Sequence, residues 1–268
     1  MWIDAHNHLQ DEALADTPRG LSALPVLAVV VNGTREDDWP RVQELAERYP
    51  WIHPAFGLHP WHVEGRSSEW KPKLEHFLKT PGSSIGEIGL DLARKNIDPV
   101  AAEEAFRWQL ALAAERNLPA SIHCVKAFGP LTSVLQSSPL PTCGFLLHAY
   151  SGSIEIAREC VSLGAYFSFS GSFLHERAAR RREVFGGLPL HRLLVETDAP
   201  NASLPNHLEK FSSQNGINHP GNVVACYEGL AKLRGMAVAD LAEAVSQNFH
   251  RLFGSTDTEQ TPSPGQAE

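Results

Sequence analysis

Short apolar runs recur eight times along the chain, each parted from the next by a longer amphipathic or loop-rich stretch. No other feature constrains the fold as much. The runs are residues 2–6, 26–31, 51–57, 84–88, 120–123, 144–148, 165–170 and 193–197. Several are almost wholly apolar, as parallel strands buried on both faces must be. Helical stretches are predicted between them at 38–49, 99–117 and 153–163. Asp98-Pro99 supplies a cap and then a proline in the first turn, and Gly164 stands where a helix stops. Two further helices are predicted after the last strand, at 221–234 and 238–252. Eight strands joined by crossovers predict an α/β chain folded as a closed (β/α)8 TIM barrel, with a doubly wound open sheet as the alternative. Such a barrel uses about 250 residues, and the chain has 268. One barrel domain is expected over 1–254. The segment 255–268, which has no Lys or Arg, reads as a disordered tail.

The formal net charge is −8. That argues against a broad basic surface coating duplex DNA, because such binding neutralises many phosphates with Lys and Arg. The chain carries 13 His against 4 Cys and 2 Met. No two cysteines form C-x-x-C, so neither a thiolate zinc site nor a disulfide framework is expected. No run approaches the roughly 18 apolar residues of a membrane helix, and no signal-like segment precedes Trp2. A cytoplasmic enzyme with reduced thiols and no membrane partner is expected.

The histidines sit where chemistry is expected. In a strand, residues two apart share a face, so His6 and His8 point the same way at the end of strand one. Two imidazoles on one face can take one metal ion. Asp4 shares their parity and can sit behind them. In Gly86-Glu87-Ile88-Gly89-Leu90-Asp91, Glu87 lies within the strand register and is the better ligand. Asp91 reads as a turn cap or a support to a ligand. His123 and His148 each end an apolar run. Glu196 and Asp198 share parity, but only Asp198 lies at the rim. Each signal has a plain structural reading: surface histidines, a satisfied core imidazole, an Asx turn before Pro200. Together they place imidazoles and carboxylates at the ends of strands one, four, five, six and eight, which converge on one barrel mouth. Five or six N/O ligands exceed a single tetrahedral ion with an open position. They suit two divalent ions about 3.5–4 Å apart, bridged by a carboxylate and a water.

Seven segments in order resemble the TatD family of metal-dependent hydrolases, several of which are deoxyribonucleases. They are Asp4-x-His6-x-His8, Gly57-Leu58-His59-Pro60, Gly86 to Asp91, Ile122-His123, His148-x-x-Ser151-Gly152, Ser168-x-Ser170-Gly171 and Glu196-Thr197-Asp198-x-Pro200. Asn248 to Phe253 is similar to the family's closing helix. The resemblance runs from residue 2 to about 253. It implies that His6, His8 and Asp198 bind one metal, that Glu87 bridges to a second, and that His123 and His148 complete it. It implies that His59 faces the substrate phosphate or a metal water, and that Asp198 is the general base. Two segments depart from the family. Leu92-Ala93 stand where an aromatic residue often follows Gly-Leu-Asp, and Ile217-Asn218-His219-Pro220 replaces an Arg-Asn-Glu-Pro-like run.

The expected activity is phosphodiester hydrolysis of DNA, preferring single-stranded ends, by a monomer holding two divalent ions (Zn, Mg or Mn). An amide, lactone or ester hydrolase is the alternative on the same metals, and fold alone does not decide between them. A metal-binding interaction protein without turnover is a third class, which an intact Asp198 argues against. Lys126 is a candidate phosphate contact. Trp61 and Phe128 are candidate base-stacking residues. The run Arg177, Arg180, Arg181 and Arg182 reads as a solvated helix face.

Overall fold

A computed structural model describes residues 1–15, 20, 26–212 and 216–254. Eight strands form one sheet in sequential order: β1 (Trp2–Asn7), β2 (Val26–Asn32), β3 (Ile52–Phe56), β4 (Ser84–Asp91), β5 (Ala120–Val125), β6 (Phe145–Leu147), β7 (Ala165–Ser170) and β8 (Leu193–Glu196). Every neighbouring pair is parallel. The first and last strands meet at their C-terminal ends. There Asp198 N donates to His6 O (3.0 Å) and His8 N donates to Ala199 O (2.8 Å). The sheet is therefore a barrel and not a doubly wound open sheet. The expected tail at 255–268 lies outside the described residues.

Eight helices accompany the strands among the described residues: α1 (Trp39–Arg48), α2 (Trp70–Phe77), α3 (Pro99–Arg116), α4 (Phe128–Ser137), α5 (Ile154–Ser162), α6 (Ala179–Gly187), α7 (Val223–Arg234) and α8 (Val238–Phe253). α3 starts as its sequence demands, with the Asp98 carboxylate accepting from Val100 N and Ala101 N ahead of Pro99. Helices α2, α4 and α6 escape the sequence pattern for local reasons. Pro72 stands in the first turn of α2, Gly129-Pro130 opens α4, and α6 buries only Phe185 beneath an arginine-rich surface. α2 and α4 still bury a short apolar stripe, Trp70 with Leu74 and Leu131 with Val134 and Leu135, but each is too brief to stand out in sequence.

The C-terminal strand ends differ from expectation by one to three residues everywhere but at β7, and at two of them the physical cause is plain. β4 runs past 88 to Asp91, because Gly89 is a point of close approach and not a turn. It holds φ +135°, and a Cβ there would collide with the His123 carbonyl on β5. β8 stops at Glu196. The next residue, Thr197, gives its N–H (3.0 Å) and hydroxyl (2.5 Å) to the buried carboxylate of Asp4.

At the opposite end of the barrel, α8 seals the core. Asn248 Nδ2 donates to Leu190 O (2.8 Å) and Leu193 O (2.7 Å), while buried Phe249 packs against His53 (5.0 Å). α7 is fastened to β1 by Tyr227, whose buried hydroxyl donates to Ile3 O (3.1 Å) and accepts from Ile3 N (3.2 Å). Among the described residues no helix is long and apolar enough to cross a membrane.

Tyr227→Phe strips both backbone groups of Ile3 of a partner that water cannot replace. It should destabilise the chain by about 1–3 kcal/mol, read from the shift of the urea unfolding midpoint.

Candidate metal centre

Glu87 lies at the centre of the mouth, 3% exposed, and every imidazole among the predicted ligands faces it. Its two oxygens serve separate sets of imidazoles. Oε2 faces His6 Nε2 (3.6 Å) and His8 Nε2 (3.4 Å), the pair from the end of β1. Oε1 faces His123 Nδ1 and His148 Nε2, both at 2.9 Å, from β5 and the end of β6. His59, after β3, also approaches Oε1 (3.4 Å). Asp198 hangs over the first set, with Oδ1 3.4 Å from His8 Nε2 and 3.9 Å from His6 Nε2. Its φ of +53° is tolerable for a short polar side chain. The rings of His6 and His148 stack at 3.9 Å, which brings the two sets together across the barrel.

The outward ring nitrogens indicate which histidines suit a metal. A ligating imidazole uses one nitrogen and gives its other N–H to a carbonyl or carboxylate. His8 Nδ1 donates to Asn32 O (2.8 Å), His123 Nε2 faces Asp91 Oδ2 (3.3 Å), and His148 Nδ1 faces Glu196 Oε1 (3.6 Å). Each therefore turns a lone pair inward when neutral. His59 is reversed. Its Nδ1 accepts from Trp61 N (3.2 Å), so the neutral ring carries its proton on Nε2, toward Glu87. That suits a hydrogen-bond donor to substrate better than a ligand. His6 is unpartnered at both ring nitrogens, so nothing fixes its tautomer, and its Nε2 and Asp198 Oδ1 are buried without a hydrogen-bond partner. Unsatisfied buried donors and acceptors are costly, and here they point into the same space. The donor set, the orphaned atoms and the tautomers fit divalent ions.

Electrostatics divides the imidazoles the same way. Burial opposes charge on all of them. The Asp198 and Glu87 carboxylates nevertheless lift His8 to about 9, and Asp91 with Glu87 raises His123. Glu87 and Glu196 hold His148 well above the ordinary imidazole value. His6, whose second carboxylate Asp198 stands farther off at 3.9 Å, and His59, which has none, are taken down by burial to about 3 and about 4. Burial works to raise Glu87, but the surrounding imidazoles, His59 and His148 foremost, hold it well below the usual carboxylate range.

Supporting residues fall partly where expected. Asp91 does both things predicted of it, capping Ala93 N (2.7 Å) and bracing His123. Asp4 does not touch the imidazole rings. It accepts from His6 N, Asn7 Nδ2 and Thr197, and so organises backbone. Three supports escape the sequence reading: the Asn32 carbonyl, Glu196 behind His148, and the Trp61 indole N–H, which donates to Asp91 Oδ2 (2.7 Å). For Glu196 the local signal was an acid ending an apolar strand, whereas the Asn32 carbonyl and the Trp61 indole carried none.

A cavity of about 920 Å³ opens from the centre over the loops after β1, β2 and β3. Trp61 lines it. Lys126 does not; it stands exposed after β5, at a φ of +53°. Phe128 packs on Tyr150 (5.3 Å) outside the cavity. In the arginine run, Arg182 donates to Phe173 O and His175 O (2.6 Å each), and Arg181 lies over the Phe173 ring, so part of the run is structural.

Comparison with known proteins follows the same lines. The family model described as TatD related DNase matches residues 3–254. The uncharacterized metal-dependent hydrolase YabD of Bacillus subtilis is 32% identical over 94% of this chain and 99% of its own length. The protein named 3'-5' ssDNA/RNA exonuclease TatD in Escherichia fergusonii is 32% identical over 87% of this chain and 89% of its own. The crystal structure of YjjV, a TatD homologue from Escherichia coli K12, superimposes with a TM-score of 0.87 at 29% identity, covering 95% of this chain and 98% of that one.

Divalent ions added to chelator-treated protein should raise its melting temperature by mass action, and Glu87→Ala should lose most of that shift. The inward nitrogens must be free of protons to take an ion. His8 keeps its proton up to about 9, so ion affinity should fall steadily as pH is lowered below that value. Isothermal titration across pH checks both the sign and the proton release.

Proposed function

Since the chain belongs to the TatD-related DNase family of metal-dependent hydrolases, we propose that it hydrolyses phosphodiester bonds at single-stranded nucleic-acid ends, using two divalent ions in the barrel mouth. One observation carries this reading. A single buried carboxylate, Glu87, turns each oxygen to a different pair of imidazoles. One ion would be held by His6, His8, Asp198 and Glu87, the other by Glu87, His123 and His148. Zn, Mn and Mg are the candidates, with the imidazole content favouring the first two. Bound there, the ions would activate water at neutral pH and neutralise charge on the phosphate oxygens.

The chain's own residues perform the rest. The His8 and His6 imidazoles counter the burial of Asp198 and keep its carboxylate below the usual range, hence ionised and able to accept a proton. Its buried, unpartnered Oδ1 is the accepting atom. His59, with its proton on Nε2, can donate to a phosphate oxygen. The Asp91, Glu196 and Asn32 contacts hold the imidazoles before substrate arrives, so little reorganisation accompanies reaction. The cavity leads away over the β1, β2 and β3 loops, which suits a strand entering by its end. The name of the Escherichia fergusonii relative, an exonuclease of single-stranded DNA and RNA, supports the same substrate class. The acidic net charge is consistent with it, because bound ions would supply positive charge locally.

The test is a panel of single-stranded DNA, single-stranded RNA, duplex, amide and lactone substrates, each with Zn, Mn and Mg. Single-stranded oligonucleotides should be cleaved from an end, and chelation should stop the reaction. Intact oligonucleotides beside turnover of an amide or lactone would replace this reading. Asp198→Asn should lower kcat by about 10²–10⁴-fold, the range for a lost general base, with the circular dichroism spectrum unchanged. An undiminished rate would remove Asp198 from that role.

A further inference from the structure

Trp61 is the one exposed aromatic side chain among the large exposed hydrophobics of the described residues, at 42%, and it lines the cavity beside the metal centre. The ring is fixed before any ligand arrives. Its N–H is bound to Asp91 Oδ2 (2.7 Å), and the guanidinium carbon of Arg94 lies 3.4 Å from its centroid. His59 meets it edge to face at 4.8 Å. The Asp91 oxygen that holds the indole also faces His123 Nε2, so the ring stands in a set position relative to that imidazole, 6.0 Å between centroids.

The same cavity holds a cation to spare. Arg35 follows β2 in a turn pinned by the Asp38 carboxylate, which accepts from Thr34 N and Arg35 N. Its guanidinium is exposed and forms no ion pair among the described residues. Arg41, also on the cavity, is committed to Glu44 at 2.6 Å. Asp11, Glu12 and Asp37 line the cavity too, so a polyanion gains little from its average charge and needs a specific phosphate contact.

We propose that Trp61, braced by Arg94, and Arg35 form a nucleotide subsite beside the metal centre, with a base on the indole and a backbone phosphate on the Arg35 guanidinium. This rests on the phosphodiesterase reading above. An immobilised aromatic face sharing one cavity with an unpaired cation is what sequence-tolerant binding of single strands uses. Because the ring is already held, binding loses little side-chain freedom. The subsite engages the strand on the β2 and β3 side of the mouth and sets its course past the metals.

The test measures KM for single-stranded oligonucleotides of increasing length, and the salt dependence of binding by fluorescence anisotropy on chelator-treated protein. Trp61→Ala should raise KM about five- to a hundredfold, the range that base stacking is worth, and flatten the gain in affinity with length. Trp61→Phe should recover most of the loss, since it keeps a ring and gives up only the N–H to Asp91. Arg35→Gln should reduce the slope of log affinity against log salt by about 0.7, one phosphate on a single strand. If Trp61→Phe is as impaired as Trp61→Ala, the residue acts by bracing Asp91, and the stacking assignment is overturned. An unchanged salt slope in Arg35→Gln overturns the phosphate contact. Should the wild type cleave oligonucleotides while these variants match it, the subsite falls and the phosphodiesterase reading stands. If the wild type neither binds nor cleaves any oligonucleotide, both fall.

Discussion

A carboxylate buried at the mouth of an apolar barrel must meet positive charge or give up its ionisation. Glu87 is in that position, and the mouth is arranged around it. Five imidazoles from β1, β5 and the loops after β1, β3 and β6 turn a nitrogen toward its two oxygens. Three of them have a second acidic partner within 3.6 Å, Asp198 beside His8, Asp91 beside His123 and Glu196 beside His148, while Asp198 is farther from His6, at 3.9 Å. Those three are the imidazoles that hold protons most strongly in the metal-free chain. The acidic partners that favour the charged imidazoles also aim the rings at Glu87.

The barrel is what makes such a cluster possible. Parallel strands all end at the same rim, so residues far apart in sequence arrive within a few ångström of one another. Closure is a local event at that rim. Asp4 accepts from Thr197, and Asp198 N donates to His6 O, so the bonds that join the last strand to the first also position Asp198 over His6 and His8. Structural and chemical roles share one set of bonds. That explains why Asp4 is buried beneath the site without touching a ring.

Legibility from sequence varied with the distance over which a property is decided. His6 and His8 were readable because a period of two is local to one strand. His123 and His148 were readable because each ends an apolar run. The expectation that the strand ends at 88 favours Glu87 over Asp91, yet both lie in β4 with the same parity, and their contacts are what separate them. Lys126 and Phe128 follow His123 closely, yet neither lines the cavity, because the chain turns at Lys126 and Phe128 finds Tyr150. Trp61 and Phe128 were equal candidates for stacking on sequence grounds. Their difference lies in contacts, such as the indole bond to Asp91 thirty residues away, that no local pattern encodes. Helices α2 and α4 were missed because their apolar stripes span only a turn or so beside prolines, and α6 because it buries one side chain, Phe185.

By itself the sequence determined the architecture and the kinds of atoms available at the rim. Alternating apolar runs and crossovers allow few folds, and side-chain parity along a strand follows from backbone geometry. Tertiary structure decided how those atoms are used. It chose which carboxylate is shared, which nitrogen of each histidine faces inward, and on which side of the mouth the cavity opens. These depend on the closing of β8 onto β1 and on contacts such as Asn32 with His8 and Glu196 with His148. Contacts of that kind join separate strands, and their distances exist only once the barrel has brought the strand ends together.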